Sequence, residues 1–288
     1  MRITDTLKYD QLGRDVSDSL SSLNAVQQQI ATGKKLTTFS DDPAGASQSL
    51  ALRSALADNA QYQRDAGQAK SFLSATDGAL SSAVTILQSA RQIAVQGANS
   101  DQSPGSLAAL SSQVDGLTAQ LTQVANTDLH GKYLFGGTNT TAPPYDAAQT
   151  YGGNAQAVTA TIGPNYPVQL NTPGSAAFGP SFTALKTLKA DLTAGNVSAI
   201  SADIATVDAG LTALSTAQAN TGAKINQVDA VTLRLARAQG ELTDNVSLIE
   251  NVDLATAYVQ LQGAQNVYQA SLATTAKAFQ YSLSDFLH

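Results

Sequence analysis

The sequence predicts a mainly α-helical protein: an elongated antiparallel helical bundle or rod formed by the N- and C-terminal halves, with a small β lobe inserted in the middle of the chain. Three observations support this fold class. Apolar residues recur every three or four positions from Ile200 to Ile249. Similar amphipathic patterns occur at both ends of the chain. Between residues 131 and 182 the chain is instead dense in Gly, Pro, Thr, Asn and Tyr.

The stretch from Ile200 to Ile249 gives the longest helical signal, and it keeps one heptad phase throughout. Alternating steps of three and four residues place its apolar side chains on a single seam, with polar interruptions at Gln218, Thr221, Thr232 and Gln239. A helix of this length would be roughly 75 Å long at 1.5 Å per residue. It needs a companion of similar kind, and we expect the seam from Leu107 to Val124 to supply it.

The two ends of the chain carry shorter seams of the same type. At the N-terminus the seam residues are Tyr9, Leu12, Val16, Leu23, Val26 and Ile30. At the C-terminus they are Leu254, Tyr258, Leu261, Tyr268, Leu272, Phe279 and Phe286. A single amphipathic helix cannot bury its apolar face alone. We therefore expect both seams to be assembly surfaces that bind neighbouring molecules.

Helix boundaries are marked by local signals. Gly33 is predicted to end the first helix in the left-handed conformation. The motif Ser40-Asp41-Asp42-Pro43 is typical of a helix start, with Asp42 as the cap and Pro43 at the first helical position. The adjacent carboxylates lack a nearby His or third acid, so capping is favoured over a metal site. Asp253 is predicted to cap the last helix.

The glycine-rich middle of the chain predicts a hairpin. Val158 to Ile162 and Val168 to Leu170 alternate apolar and polar residues around a Gly163-Pro164-Asn165 turn. The predicted organisation is terminal assembly helices at 1–42 and 253–288, a helical rod at 43–136 and 181–252, and the β lobe at 137–180.

Composition excludes several classes of function. The 288 residues carry a net charge of −6, so no basic surface is expected for nucleic acid. The absence of Cys excludes disulfides and thiolate metal sites. No stretch approaches the roughly 18 apolar residues of a membrane span, and no cleaved signal peptide is expected.

The sequence contains no candidate catalytic residues. No nucleophile, phosphate-binding or dinucleotide-binding motif is present, and the two histidines are His130 and the terminal His288. We expect His130 to lie at a helix end and to contact the terminal carbonyls. We therefore expect no enzyme activity, no cofactor and no metal.

Motifs at both ends resemble the bacterial flagellin family. They are Met1-Arg2-Ile3, Thr32-Gly33-Lys34-Lys35, Ser40-Asp41-Asp42-Pro43-Ala44-Gly45-Ala46, Ala94-Val95-Gln96-Gly97-Ala98-Asn99, Asn251-Val252-Asp253-Leu254-Ala255 and Ser282-Leu283-Ser284-Asp285-Phe286-Leu287. The middle resembles the junction proteins of that family, at Gly131-Lys132-Tyr133-Leu134-Phe135-Gly136-Gly137-Thr138, Pro143-Pro144-Tyr145, Pro173-Gly174 and Phe178. Asn251 departs from the family pattern, which usually has Asp there.

The resemblance implies a structural subunit that joins hook to filament in the extracellular flagellum, exported by a type III route without a cleaved signal. It implies self-association in an axial layer, contacts with another hook-associated protein and with flagellin, and an export chaperone on the C-terminal helix. Two alternatives remain open at the level of the sequence. One is a short flagellin that forms the filament itself, and the other is an adhesin that binds through the lobe from Gly137 to Phe182.

Overall fold

The computed structural model describes the backbone of residues 2–99 and 102–286, and the side chains of residue 7, residues 10–99 and residues 102–278. Its elements in chain order are α1 (Arg2–Thr32), α2 (Pro43–Gly97), α3 (Pro104–Ala125), β1 (Asp128–Leu129), β2 (Lys132–Tyr133), β3 (Thr159–Thr161), β4 (Pro167–Gln169), α4 (Gly174–Ala194), α5 (Val197–Glu250) and α6 (Leu254–Phe286). Each strand pair is an antiparallel hairpin. The predicted mainly α-helical fold with a small β insertion is confirmed.

The chain divides into two compact units. The first unit is Met1–Asp58 with Ala238–His288, and the second is Asn59–Arg237. Both boundaries fall inside the long helices α2 and α5. The sequence placed them instead at residues 42/43 and 252/253, where helices begin and end, and it treated the β lobe as a separate part.

In the second unit, α2 and α5 pack as an antiparallel pair. Lys70 Nζ lies 2.6 Å from Asp229 Oδ1, and Arg91 Nε lies 2.7 Å from Asp208 Oδ1. Residue numbers therefore increase along α2 in the direction in which they decrease along α5. The prediction of a long helix from Ile200 is confirmed. The helix of matching length is α2, with 55 residues against the 54 of α5; the predicted companion α3, of 22 residues, pairs with the 21-residue α4 and shares a core with α5.

The main core of the second unit is formed by α2, α3, α4 and α5 together. Fully buried members include Leu80 and Leu87 of α2, Leu188 of α4 and Ile200 of α5. Thr221, a polar position of the α5 seam, is also fully buried, and its hydroxyl donates to the carbonyl of Ala217 at 2.9 Å. The polar interruption is therefore satisfied within its own helix.

The predicted hairpin of the lobe is confirmed as β3 and β4. Ala160 pairs with Val168, and Asn165 in the turn has a φ of 54°. Ile162 and Val168 are buried in a second core against α2 and α5. The lobe thus shares the hydrophobic interior of the helices that flank it.

A shorter hairpin, β1 and β2, was not predicted. His130 and Gly131 form its turn with φ values of 53° and 77°, the left-handed geometry of tight hairpin turns. The expectation that His130 lies at a helix end is therefore wrong. The helix α3 ends earlier, at Ala125, because Asn126 exchanges hydrogen bonds of 2.8 and 2.9 Å with the backbone of Tyr145.

An aromatic cluster joins the lobe to α4. The rings of Phe135 and Phe178 meet edge to face at 4.7 Å, and the Tyr145 hydroxyl donates to the carbonyl of Gly174 at 2.9 Å. A Cβ at position 174 would lie 2.8 Å from the carbonyl oxygen of Phe135, so the contact requires glycine. The helix α4 begins at this glycine, inside the range 137–180 that the sequence assigned to the lobe.

Within the described part of the chain, α5 has the length and apolarity of a membrane span. An 18-residue window of α5 has a mean hydropathy of 1.3, and 28% of that window is buried. The expectation that no stretch comes near a span is therefore wrong for α5 on composition alone. Within the structure, however, its seam side chains Ile200, Val207 and Leu214 are packed in the protein core.

Candidate assembly surfaces

The terminal helices α1 and α6 pack against each other in the first unit. The linkers that follow α1 and precede α6 are paired through the backbone. The amide of Lys35 donates to the carbonyl of Glu250 at 2.6 Å, and the amide of Val252 donates to the carbonyl of Gly33 at 3.0 Å. Since the end of α1 lies beside the start of α6, the two helices are antiparallel. Gly33 has a φ of 68°, which confirms its predicted role as helix terminator.

The seam of α1 is largely covered within the chain. Leu23 is buried, and the other described seam residues are half-buried: Leu12, Val16, Val26 and Ile30. The helix packed on α1 is α6. In the single chain α6 already supplies a partner for this seam, and its role as an assembly surface stays a prediction. The side chain of Tyr9 lies outside the described residues.

The predicted seam of α6 divides into a covered edge and an open edge. Leu261 and Tyr268 are half-buried, and Ala257 beside them is buried. In contrast, Leu254, Tyr258 and Leu272 are 49%, 56% and 43% exposed. We call these three residues the α6 stripe. The side chains of Phe279 and Phe286 lie outside the described residues.

The division of the seam follows from helix geometry. At roughly 100° per residue, Leu254, Tyr258 and Leu272 fall within about 40° of one another, at one flank of the apolar arc. Ala257, which is buried, and Ala264, which is half-buried, lie near the opposite flank. The apolar arc of α6 is therefore wider than one antiparallel neighbour covers.

The helix-start motif before α2 has two different acids. The amide of Gly45 donates to Asp42 Oδ1 at 3.0 Å, so the predicted cap is confirmed, with Pro43 at the first helical position. A Cβ on Gly45 would lie 2.4 Å from Asp42 Oδ2 and would displace the capping carboxylate. Ser40 is exposed in the preceding turn. The motif thus starts the helix α2.

Asp41 accepts hydrogen bonds from the loop that precedes α2 and not from the first turn of the helix. Its Oδ2 accepts from the amides of Thr37 and Thr38 at 3.1 and 2.7 Å and from the Thr37 hydroxyl at 2.8 Å. Its Oδ1 accepts from the Thr38 hydroxyl at 2.8 Å. These hydrogen bonds, led by that of the Thr38 amide, lower the pKa of Asp41 to about 2. The loop from Thr37 to Asp41 is therefore held in one conformation.

The buried carboxylate of Glu250 connects the loop after α1 to the helices α2 and α5. Glu250 at the end of α5 accepts from Arg53 Nε and Nη2 at 2.6 Å each and from Lys34 Nζ at 2.7 Å. The Ser49 hydroxyl donates to it as well. These bonds, with Arg53 first, hold the pKa of Glu250 well below its usual value. We call Lys34, Ser49, Arg53 and Glu250 the Glu250 node.

Sequence reasoning missed the Glu250 node. Its members are widely separated in the chain, so no local pattern connects them. One signal was available, because Glu occurs only at positions 241 and 250 in a chain otherwise supplied with Asp. The longer side chain at Glu250 spans from α5 to α2.

The described residues contain no group of three or more His, Cys, Asp or Glu that could hold a metal ion. The site consists of the apolar α6 stripe and the hydrogen-bonded Glu250 node.

The family descriptions "Bacterial flagellin N-terminal helical region" and "Bacterial flagellin C-terminal helical region" match residues 5–140 and 204–287. The chain belongs to the bacterial flagellin family. The resemblance seen in its terminal motifs is thereby confirmed.

The relatives include hook-associated proteins and flagellins. The chain is 34% identical over 164 residues to flagellar hook-associated protein 3 of Salmonella typhimurium, covering 56% of this chain and 52% of that protein. It is 25% identical over 286 residues to a flagellin of Bacillus subtilis, covering 91% and 92%. The crystal structure of Bacillus cereus FlgL superposes with a TM-score of 0.63 at 25% identity, covering 68% of this chain and 99% of that one. The chain spans about half the length of the hook-associated relatives that it matches.

Proposed function

We propose that this chain is a structural subunit of the bacterial flagellum that joins hook to filament. The observation that carries the proposal is the α6 stripe, an apolar edge left open beside the α1–α6 contact in a member of the flagellin family. The similarity to hook-associated protein 3 favours a place at the junction. Its work is mechanical, and no catalytic step is assigned to it.

The α6 stripe has the energetics of an assembly surface. Full burial of a Leu or Tyr side chain stabilises by roughly 1.5 to 3 kcal/mol, and about half of that gain is unused at Leu254, Tyr258 and Leu272. Repeated along the helix, this supplies a driving force that only a neighbouring helix can use. We assign lateral packing to the open edge of α6, with α1 as its intramolecular support.

The partners follow from this assignment. Neighbouring copies would cover the α6 stripe in an axial layer, and another hook-associated protein and flagellin would contact that layer from its two sides. Before assembly, an export chaperone would shield the same helix from water. Export without a cleaved signal, and a final location in the extracellular flagellum, belong to the same proposal. Nucleic acid and membrane insertion have no part in it.

A deletion strain tests the proposal against its rival, a short flagellin. If the chain is a junction subunit, the strain makes hooks but releases flagellin into the medium, because filaments have nothing to attach to. Complementation with the full chain restores attached filaments. Loss of filament with no flagellin in the medium would show that this chain is the filament subunit and would overturn the proposal.

A second candidate function is binding through the lobe, and one observation favours it. A groove of about 950 Å³ is lined by residues of α2 and of the two hairpins, among them the apolar Phe72, Leu129 and Leu170 and the basic Arg64 and Lys132. Its size falls in the range of small-molecule sites. Binding of the full chain to immobilised glycans, measured with wild type and Lys132→Ala, tests this function. Saturable binding that the substitution weakens would support it.

A further inference from the structure

We propose that two opposite faces of the first unit dock head to tail between copies of this chain. One face, the Phe39 patch, consists of Phe39 and Leu50 with Lys34 and Arg53. The other, the Leu248 patch, consists of Glu241, Asp244 and Leu248 on α5. The inference rests on the proposed self-association and names the residues through which neighbouring copies meet.

The Phe39 patch presents apolar side chains on a rigid support. Phe39 and Leu50 are each 63% exposed. A cavity of about 240 Å³ lies between them and the Glu250 node, with Leu36 in its wall. Because Asp41 fixes the loop that carries Phe39, little conformational entropy is lost when a partner binds. An exposed aromatic anchor next to a cavity is typical of the centre of an interface.

The charges around this cavity favour an acidic partner. The side chains of Lys34 and Arg53 are 43% and 54% exposed, while the Glu250 carboxylate that they share is 8% exposed. Two cations therefore face solvent around one covered anion. On the loop itself Lys35 is offset by the ionised Asp41, so the positive excess at the cavity is the one net charge that Lys34 and Arg53 leave after Glu250.

The Leu248 patch has the complementary chemistry. Leu248 is 81% exposed, the largest value among the large apolar side chains described. Asp244 and Glu241 lie four and seven residues before it, so all three share one face of α5. Both acids are exposed, and neither forms a salt bridge with another described residue. An apolar side chain with two free carboxylates fits an apolar cavity with excess positive charge.

The two patches point in opposite directions. Leu248 and Glu250 are two residues apart on α5, which separates them by roughly 200° around the helix. Since Glu250 faces the Phe39 patch through Arg53 and Ser49, Leu248 faces away from it. One copy therefore cannot satisfy its own patches. Complementary patches on opposite faces produce a head-to-tail contact that propagates into a ring or a helix.

The absence of Cys from the chain allows a direct crosslinking test with the full-length protein. Two single-cysteine variants, Phe39→Cys and Leu248→Cys, are purified separately, reduced, mixed and allowed to oxidise at a concentration where self-association occurs. Disulfide formation requires Cα atoms about 4.4 to 6.8 Å apart, so it reports direct contact. The matched control replaces Leu248→Cys by Leu233→Cys, since Leu233 is also exposed on α5, at 61%, but belongs to neither patch.

The mixture of F39C and L248C should form crosslinked dimers about tenfold faster than F39C with L233C, because the contact raises the effective concentration of the two thiols. Each variant alone should crosslink no faster than that control. Equal rates for the two mixtures would overturn the proposal. If polymers nevertheless form in the same samples, the proposed self-association stands and only this pair of faces is refuted. Rapid F39C homodimers would point to a symmetric contact and would likewise overturn it.

Discussion

Glu250 fixes the junction between α5 and the loop after α1 through single side-chain contacts. Its carboxylate accepts from three residues, Lys34, Ser49 and Arg53, while Glu250 is itself 6% exposed. Glu250→Gln would leave Lys34 and Arg53 without their anion. We expect a loss of about 2 kcal/mol in the free energy of unfolding, less than for a fully buried pair because both cations keep part of their water. Urea unfolding of the full chain measures it.

The matched control is Glu241→Gln, which changes the other glutamate, an exposed one, and should alter stability by less than about 0.5 kcal/mol. The effect also has a pH signature. Since the pKa of Glu250 is lowered from 4.5, its stabilisation is present above that pH and is lost progressively as pH falls below it. The gap between wild type and E250Q should therefore narrow in acid. Equal losses for E250Q and E241Q would refute the role of the node.

Asp203 is a buried acid whose pKa is raised, whereas that of Glu250 is lowered. It is 5% exposed, and its Oδ2 has no hydrogen-bond partner among the described residues. Burial raises the pKa of Asp203 above 3.8; the Thr187 hydroxyl opposes this rise, and the neighbouring Asp191 carboxylate adds to it. A raised pKa means that the folded chain binds the proton more tightly than the unfolded chain. Its stability therefore falls as pH rises through the window above 3.8.

Asp203→Asn removes the buried charge at neutral pH. We expect the variant to gain stability on the order of 1 kcal/mol at pH 7 and to lose this advantage as pH falls towards 4. Thermal unfolding between pH 4 and 8 measures the difference. Asp208→Asn, on the same helix, removes the surface pair with Arg91 and should bring no gain. A destabilised D203N at pH 7 would contradict the account.

Among the elements, α6 carries the test of the assembly surface. Leu272→Asp places a charge on the α6 stripe, where Leu272 is already 43% exposed, so the monomer should remain folded while packing against a neighbour is lost. We expect a strain with this variant to lose attached filaments. Circular dichroism of the purified chain should show unchanged helix content.

Val259→Asp is the matched control for L272D. Val259 is 73% exposed, and it points about 100° away from its neighbour Tyr258, outside the α6 stripe. V259D should keep its filaments. Equal loss of filaments in both strains would show that solubility of the helix, and not the stripe, limits assembly.

How well an element could be predicted from sequence depended on its length. The seam from Ile200 to Ile249 predicted α5 closely, because fifty residues in one phase leave a single helical solution. The same periodicity does not say which helix lies opposite, and α2 was missed as the companion for that reason. The hairpin of β1 and β2 has strands of two residues each, too short for an alternating pattern. Its signal was the His130-Gly131 pair, since such turns need positive φ.

The candidate site was predictable only in part. The seams of α1 and α6 were found, but the sequence could not show that they pack on each other and leave the α6 stripe open. That outcome depends on which flank of α6 is covered, and the buried Ala257 on that flank is one alanine among many in this chain. The Glu250 node depends on tertiary contacts, and the exposure of Phe39 depends on their absence. Neither follows from local spacing.

Across the molecule, protection from amide exchange should be highest in the segments that form the two hydrophobic cores. The seam of α5 between Ile200 and Leu235 lies in two hydrophobic cores, whereas α1 and α6 meet along one partly exposed contact. We expect residues 10–32 and 254–278 to exchange faster than residues 200–235 in the monomer. Hydrogen exchange with mass spectrometry measures this. Uniform protection in a proven monomer would mean that the terminal helices need no neighbours.

A junction subunit that assembles through the open edge of α6 occupies a single level of the flagellum. Immunogold labelling of intact flagella with an antibody against the full chain measures where the chain lies. We expect one narrow band of gold where the hook meets the filament. Gold distributed along the whole filament would contradict it and would identify the chain as a filament protein.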